Sequence, residues 1–138
     1  MKLKTIFKLI ESDYRMSHRP SPPDAAAPLF DLTANDIYPD DVYSRKGKEY
    51  YGTGINDTET FAIILKYKDK PNATVTIYRA VPNIVKDIND GDWVAITKKY
   101  AKDHADGESD WHIISKKVKA SEIYTSGDSW DEWGYWAK

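Results

Sequence analysis

The hydrophobic and polar positions of this chain change period several times, and each change predicts an element. Phe61, Ile64, Leu65 and Lys68 recur at helical spacing, which predicts a helix from about Asp57 or Thr58 to Tyr67 with one buried face. Asp57 is placed to cap it, and Glu59 sits in the first turn, where the helix dipole favours a carboxylate. Lys68-Asp-Lys-Pro-Asn72 stops it. The period then falls to two: Ala73-Thr-Val-Thr-Ile-Tyr-Arg-Ala-Val81 alternates and is rich in β-branched and aromatic residues, the pattern of a strand, and Pro82 ends it. Gly91-Asp-Trp-Val-Ala-Ile-Thr97 predicts a second strand entered from a tight Asn89-Asp-Gly91 turn, with Thr97 capping a short helix over Lys98 to His104. Trp111 to Val118 predicts a third strand and Ala120 to Tyr124 a helical turn. A last strand is expected over Trp130 to Trp136, after the Ser126-Gly-Asp128 turn.

The first part of the chain is less regular. Leu3, Phe7 and Ile10 suggest a short amphipathic helix within residues 3–13, part of a lead-in segment over residues 1–16. From Ser17 to Pro28 the prolines remove donors and push their predecessors extended, so this stretch is expected to be irregular and to run along the surface. Asp31 to Tyr43, around Pro39-Asp-Asp41, reads as turns with one short helix.

A chain of 138 residues supports one domain, taken here as residues 1–138. What stands out in its composition is the 13% of aromatic residues, with five Trp and ten Tyr. Such an excess calls for a core built from rings or for a ring-lined pocket. The net charge of -2 provides no global field to hold a polyanion, which argues against a dedicated nucleic-acid or membrane-surface binder. The absence of cysteine excludes a disulfide framework and a thiolate metal site and fits a reducing, cytoplasmic setting. No stretch approaches the roughly 20 apolar residues of a spanning helix, and Lys8 interrupts the only apolar run near the start. His18, His104 and His112 lack metal-ligand spacing, and the Asp87 to Lys98 stretch lacks the closing glutamate of a calcium loop, so no metal is expected. Neither a Gly-x-Gly-x-x-Gly nor a Gly-Lys-Ser phosphate loop is present.

The order of motifs carries more than any one of them. Ile77-Tyr-Arg79-Ala-Val81 is followed by Gly91-Asp-Trp-Val-Ala-Ile-Thr97, then Tyr100-Ala101, Val118-Lys-Ala-Ser-Glu-Ile123 and Glu132-Trp-Gly-Tyr135. This order resembles the ADP-ribosyltransferases of the Arg-Ser-Glu type over residues 73–136. His18-Arg-Pro and Ile37-Tyr-Pro-Asp-Asp-Val42 are similar to segments of small phage and prophage transferase-like proteins. The resemblance implies a compact α+β fold of two small, mainly antiparallel sheets with short helices around an NAD cleft. It also implies mono-ADP-ribosylation of a macromolecular acceptor, a host protein before nucleic acid, by a cytoplasmic monomer that needs NAD and no metal.

The same resemblance distributes roles. Glu132 becomes the catalytic carboxylate: scission of the nicotinamide–ribose bond passes through an oxocarbenium-like state that a carboxylate at the ribose stabilises. Arg79 offers a fork of donors for phosphate or ribose oxygens, and Thr97 a hydroxyl to orient one of these groups. Tyr100, Trp93 or Tyr124 is expected over the nicotinamide ring, and His18 serves NAD or the fold. The chain departs from the pattern in three places, one being the short acceptor loop over about Tyr124 to Asp131, which offers Asp128 and Asp131 either to orient an acceptor or to solvate a turn. Ala95-Ile96-Thr97 keeps one hydroxyl where the family often has three, and Trp130 stands where arginine-modifying members carry a second glutamate, which argues against arginine as the acceptor. Two other readings remain open: a fold-conserving binding module without catalysis, and an NAD glycohydrolase.

Overall fold

The computed structural model describes residues 19–54 and 56–138; the expected helix within residues 3–13, the lead-in segment and His18 lie outside them. The described residues form strands β1 (Ala27–Pro28), β2 (Thr74–Pro82), β3 (Trp93–Val94), β4 (Trp111–Lys119), β5 (Ile123–Thr125) and β6 (Trp133–Tyr135). Helices α1 (Gly47–Tyr51), α2 (Asp57–Tyr67) and α3 (Lys98–His104) accompany them, with 3-10 turns between. Mixed helices and antiparallel sheets make the class α+β.

β2 and β4 pair antiparallel over their whole length, from Thr74 opposite Lys119 to Pro82 opposite Trp111. Alternation puts Val75, Ile77 and Val81 in the core from one face of β2. The second sheet has the order β1-β5-β6-β3, all antiparallel. One antiparallel bridge joins the two: the Tyr78 amide donates to the Ala95 carbonyl at 2.9 Å, and the Ala95 amide returns to Tyr78 at 2.8 Å. It fixes the free edge of β2 beside the end of β3.

The core is one cluster in which Trp130 and Trp133 are fully buried among Leu29, Leu32, Ile64, Ile77 and Ile123. The Trp133 indole donates to the Trp130 carbonyl at 2.7 Å, and the Trp130 ring stacks on Phe61 with centroids 6.0 Å apart. Burying rings of this size contributes strongly to cohesion in so short a chain. No helix among the described residues is long and apolar enough to cross a membrane.

Several expectations are corrected. The proline-rich stretch does not simply skirt the surface: Pro20, Ala26, Ala27 and Pro28 are buried, and β1 pairs with β5 through Ala27 and Pro28. Proline is tolerated there because β1 lies at the sheet edge, where one donor is dispensable. The Ala120 to Tyr124 turn is a 3-10 turn only over Ala120–Glu122, and Ile123 to Thr125 is strand. The expected strand over residues 91–97 is β3 plus the Ala95 bridge, and that over residues 130–136 is only Trp133–Tyr135, because Trp130 turns into the core. α2 buries Thr60, Ile64 and Tyr67, leaving Leu65 and Lys68 exposed, so its inner face is rotated from the expected one. Its N-cap residue is Asn56; Asp57 instead accepts the Thr53 and Gly54 amides, both at 2.8 Å. α1 has no sequence forerunner. Gly47 opens it tight against the Val42 carbonyl, an approach that leaves no room for a Cβ.

Candidate functional site

Because the Tyr78–Ala95 bridge draws β2 against β3, a cleft opens between these strands and α3. Tyr78, Arg79 and Ala80 line it from β2, Trp93 and Val94 from β3, and Tyr100, Ala101 and His104 from α3. Ala95, Trp111 at the start of β4 and Glu132 just before β6 complete the wall. The cleft holds about 500 Å³ of empty space, its open mouth included. The cavity within it is about 50 Å³, well below the roughly 300–1,000 Å³ typical of small-molecule and cofactor sites. Its character is aromatic, with one guanidinium and one carboxyl set among the rings.

Arg79 leaves the core-facing row of β2 at the cleft rim. Its Nη1 is 3.8 Å from Asp92 Oδ2, and both side chains are largely shielded from solvent. This separation is an ion pair and not a hydrogen bond. Asp92 is itself fixed: its Oδ2 accepts the Asn89 amide at 2.8 Å, its amide donates to the Asn89 carbonyl at 3.0 Å, and its carbonyl accepts the Tyr135 amide at 3.0 Å. Gly91 makes the turn possible with φ of +83°, in the left-handed region that glycine enters without penalty. The predicted Asn-Asp-Gly turn therefore delivers the arginine's counter-charge.

Glu132 enters from the segment just before β6. Tyr100 Oη donates to its Oε1 at 2.9 Å, and the Tyr100 ring packs against His104, one helical turn on, with centroids 6.3 Å apart. The neighbouring Asp131 is tied away from the cleft by the Thr53 hydroxyl, which donates to Asp131 Oδ2 at 2.6 Å. It holds two loops together.

Of the residues expected at a site, the structure brings together Arg79, Glu132, Tyr100 and Trp93 in one cleft. Thr97 does not line it. It is buried, and its Oγ1 accepts the Tyr100 amide at 3.3 Å as the N-cap of α3. Tyr124 is buried in β5, away from the cleft. His18 is outside the described residues. Sequence reasoning missed Tyr78, His104 and Trp111 as wall residues. His104 was legible, since it lies four positions beyond Tyr100 on a predicted helix. Trp111 was not, because only the long-range pairing of β4 with Pro82 brings it there.

Elsewhere, Glu122 bounds a second hollow near Phe30 and Lys138, but its carboxylate already accepts the Lys119 amide at 2.9 Å and the Lys138 amide at 3.0 Å. Among the described residues no group of three or more His, Asp or Glu could hold a metal ion. Burial raises the pKa of the Tyr38 and Tyr135 phenols, leaving both neutral core residues. No family model, curated protein or solved structure matches the chain.

Proposed function

We propose that the cleft binds NAD and that the protein is a mono-ADP-ribosyltransferase acting on a macromolecular acceptor, protein before nucleic acid. The observation that carries this is the convergence of Arg79 on β2 and Glu132 just before β6, distant in sequence, on one ring-lined cleft. In this reading Arg79 grips a phosphate or ribose oxygen, an aromatic wall residue such as Trp93 covers the nicotinamide, and Glu132 stands at the ribose. As the bond to nicotinamide breaks, its electron pair leaves with the neutral nicotinamide ring. The positive charge that develops on the ribose is stabilised by the Glu132 carboxylate, and an acceptor nucleophile closes on the anomeric carbon.

The surroundings also bear on the acceptor. Trp130, two positions before Glu132, is fully buried against Phe61, so that position offers no second carboxylate to activate an acceptor guanidinium. This supports an acceptor other than arginine. One observation favours a second reading, a binding module that has kept the cleft without the chemistry: the Thr97 hydroxyl is committed to capping α3.

Incubation with NAD labelled on the ADP-ribose, with and without bacterial lysate, tests the proposal. Label on macromolecules is the expected result. Free ADP-ribose alone identifies a glycohydrolase, and intact NAD under both conditions identifies the binding module.

A further inference from the structure

We infer that Tyr100 is a positioning residue that sets the orientation of the Glu132 carboxylate through its hydroxyl. The inference rests on the reading of Glu132 as the group at the scissile bond. Its own basis is the 2.9 Å hydrogen bond from Tyr100 Oη to Glu132 Oε1, which crosses from α3 to the segment before β6.

Both ends of that bond are held. On the tyrosine side, the Tyr100 amide donates to the buried Thr97 cap, and the ring lies against His104 at an interplanar angle of 27°. On the glutamate side, the preceding Asp131 is fixed by Thr53 and the following Trp133 is fully buried, its indole bonded to the Trp130 carbonyl. The backbone around Glu132 is thus immobilised while its long side chain keeps several rotatable bonds. A donor held on α3 favours some of those rotamers over others and helps aim the carboxylate before substrate arrives. The role differs from that of a stacking platform. A ring that covers nicotinamide contributes mainly to binding; a hydroxyl that aims the carboxylate contributes to the barrier. It also gives α3 a task in the site that does not need the Thr97 hydroxyl in the cleft.

Tyr100→Phe removes the hydroxyl while keeping the ring, the cap and the contact with His104. With the full chain and NAD as substrate, kcat is expected to fall about 10- to 100-fold, the range a misplaced reacting group produces, with KM and melting temperature unchanged. Tyr100→Phe combined with Glu132→Gln should turn over no more slowly than Glu132→Gln alone, because the hydroxyl acts only through the carboxylate. Unchanged kcat in Tyr100→Phe, a rise confined to KM, or losses that multiply in the double variant would each overturn the inference while leaving the NAD reading intact. A wild-type protein that neither binds nor turns over NAD would sink both. A thermal shift identical to wild type on adding NAD, measured with Tyr100→Phe, keeps the kcat comparison independent of folding.

Discussion

Arg79 on β2 and Asp92, just before β3, form an ion pair, Nη1 to Oδ2 at 3.8 Å. The aspartate follows Gly91 and closes the turn that starts at Asn89, and it is held by three hydrogen bonds of its own, so it presents a fixed negative charge to the guanidinium. At this distance the arginine is oriented without having its donors saturated, and its planar fork stays available for an oxyanion.

Arg79→Ala should therefore weaken NAD binding at least tenfold by calorimetry, and a complex as tight as wild type would assign the arginine to structure alone. Asp92→Asn keeps an acceptor for the Asn89 amide and removes only the charge. It is expected to loosen NAD several-fold and to cost on the order of 1 kcal/mol of stability, since the guanidinium loses its partner in a shielded position.

Glu132→Gln conserves shape and a hydrogen-bond acceptor for Tyr100 and removes the negative charge. Turnover of NAD should fall at least ~100-fold, the cost of losing one preorganised stabilising group, with unfolding free energy within ~1 kcal/mol of wild type. Steady-state nicotinamide release together with urea denaturation separates the two quantities. Retained turnover would remove Glu132 from the chemistry.

Thr97 supplies a contrast between capping and site chemistry. Thr97→Ala should cost about 1 kcal/mol, as loss of an N-cap acceptor does, while Thr97→Ser should be close to wild type. Because its hydroxyl faces the Tyr100 amide in α3 and not the cleft wall, turnover per folded molecule in Thr97→Ala is expected to fall no further than in Tyr100→Phe and less than in Glu132→Gln. A loss in Thr97→Ala comparable with that of Glu132→Gln would mean that the hydroxyl reaches the substrate.

How much of this was legible in the sequence depends on whether the cause was local. The span of α2, the strand β2 and the whole of α3 with its Thr97 cap follow from periodicity and nearest-neighbour chemistry, and they fall where those signals put them. β1, β5 and β6 are two or three residues long and exist because of pairing between distant segments, such as Ala27 with Thr125 and Ile123 with Tyr135. No period survives in so few positions. Trp130 shows the same limit differently: the expected last strand started at it, whereas it packs against Phe61 outside the ladder. The site divides in the same way. Arg79 and Glu132 were named from their motifs, but the counter-charge of Asp92, the hydroxyl of Tyr100 on Glu132 and the wall formed by Trp111 appear only when two sheets and a helix close on one another.

Tyr51 provides a test of the fold well away from the cleft. Its Oη donates to Asp41 Oδ1 at 2.6 Å, linking α1 to the 3-10 turn over Asp40–Tyr43. That hydrogen bond, assisted by burial and by the charge of Asp41, pushes the phenol pKa from 10.0 up to about 12. The sign follows from which form bonds: only the neutral phenol donates, so folding favours the protonated state. The contribution of this link to stability is thus fully present below pH 10, diminishes between pH 10 and about 12, and is absent above. A spectrophotometric titration, taken as the difference between wild type and Tyr51→Phe, should show one phenol ionising near the upper value, and Asp41→Asn should bring it back toward 10. Ionisation at the ordinary tyrosine pKa in the wild type would mean that α1 is not held to the preceding turn in solution.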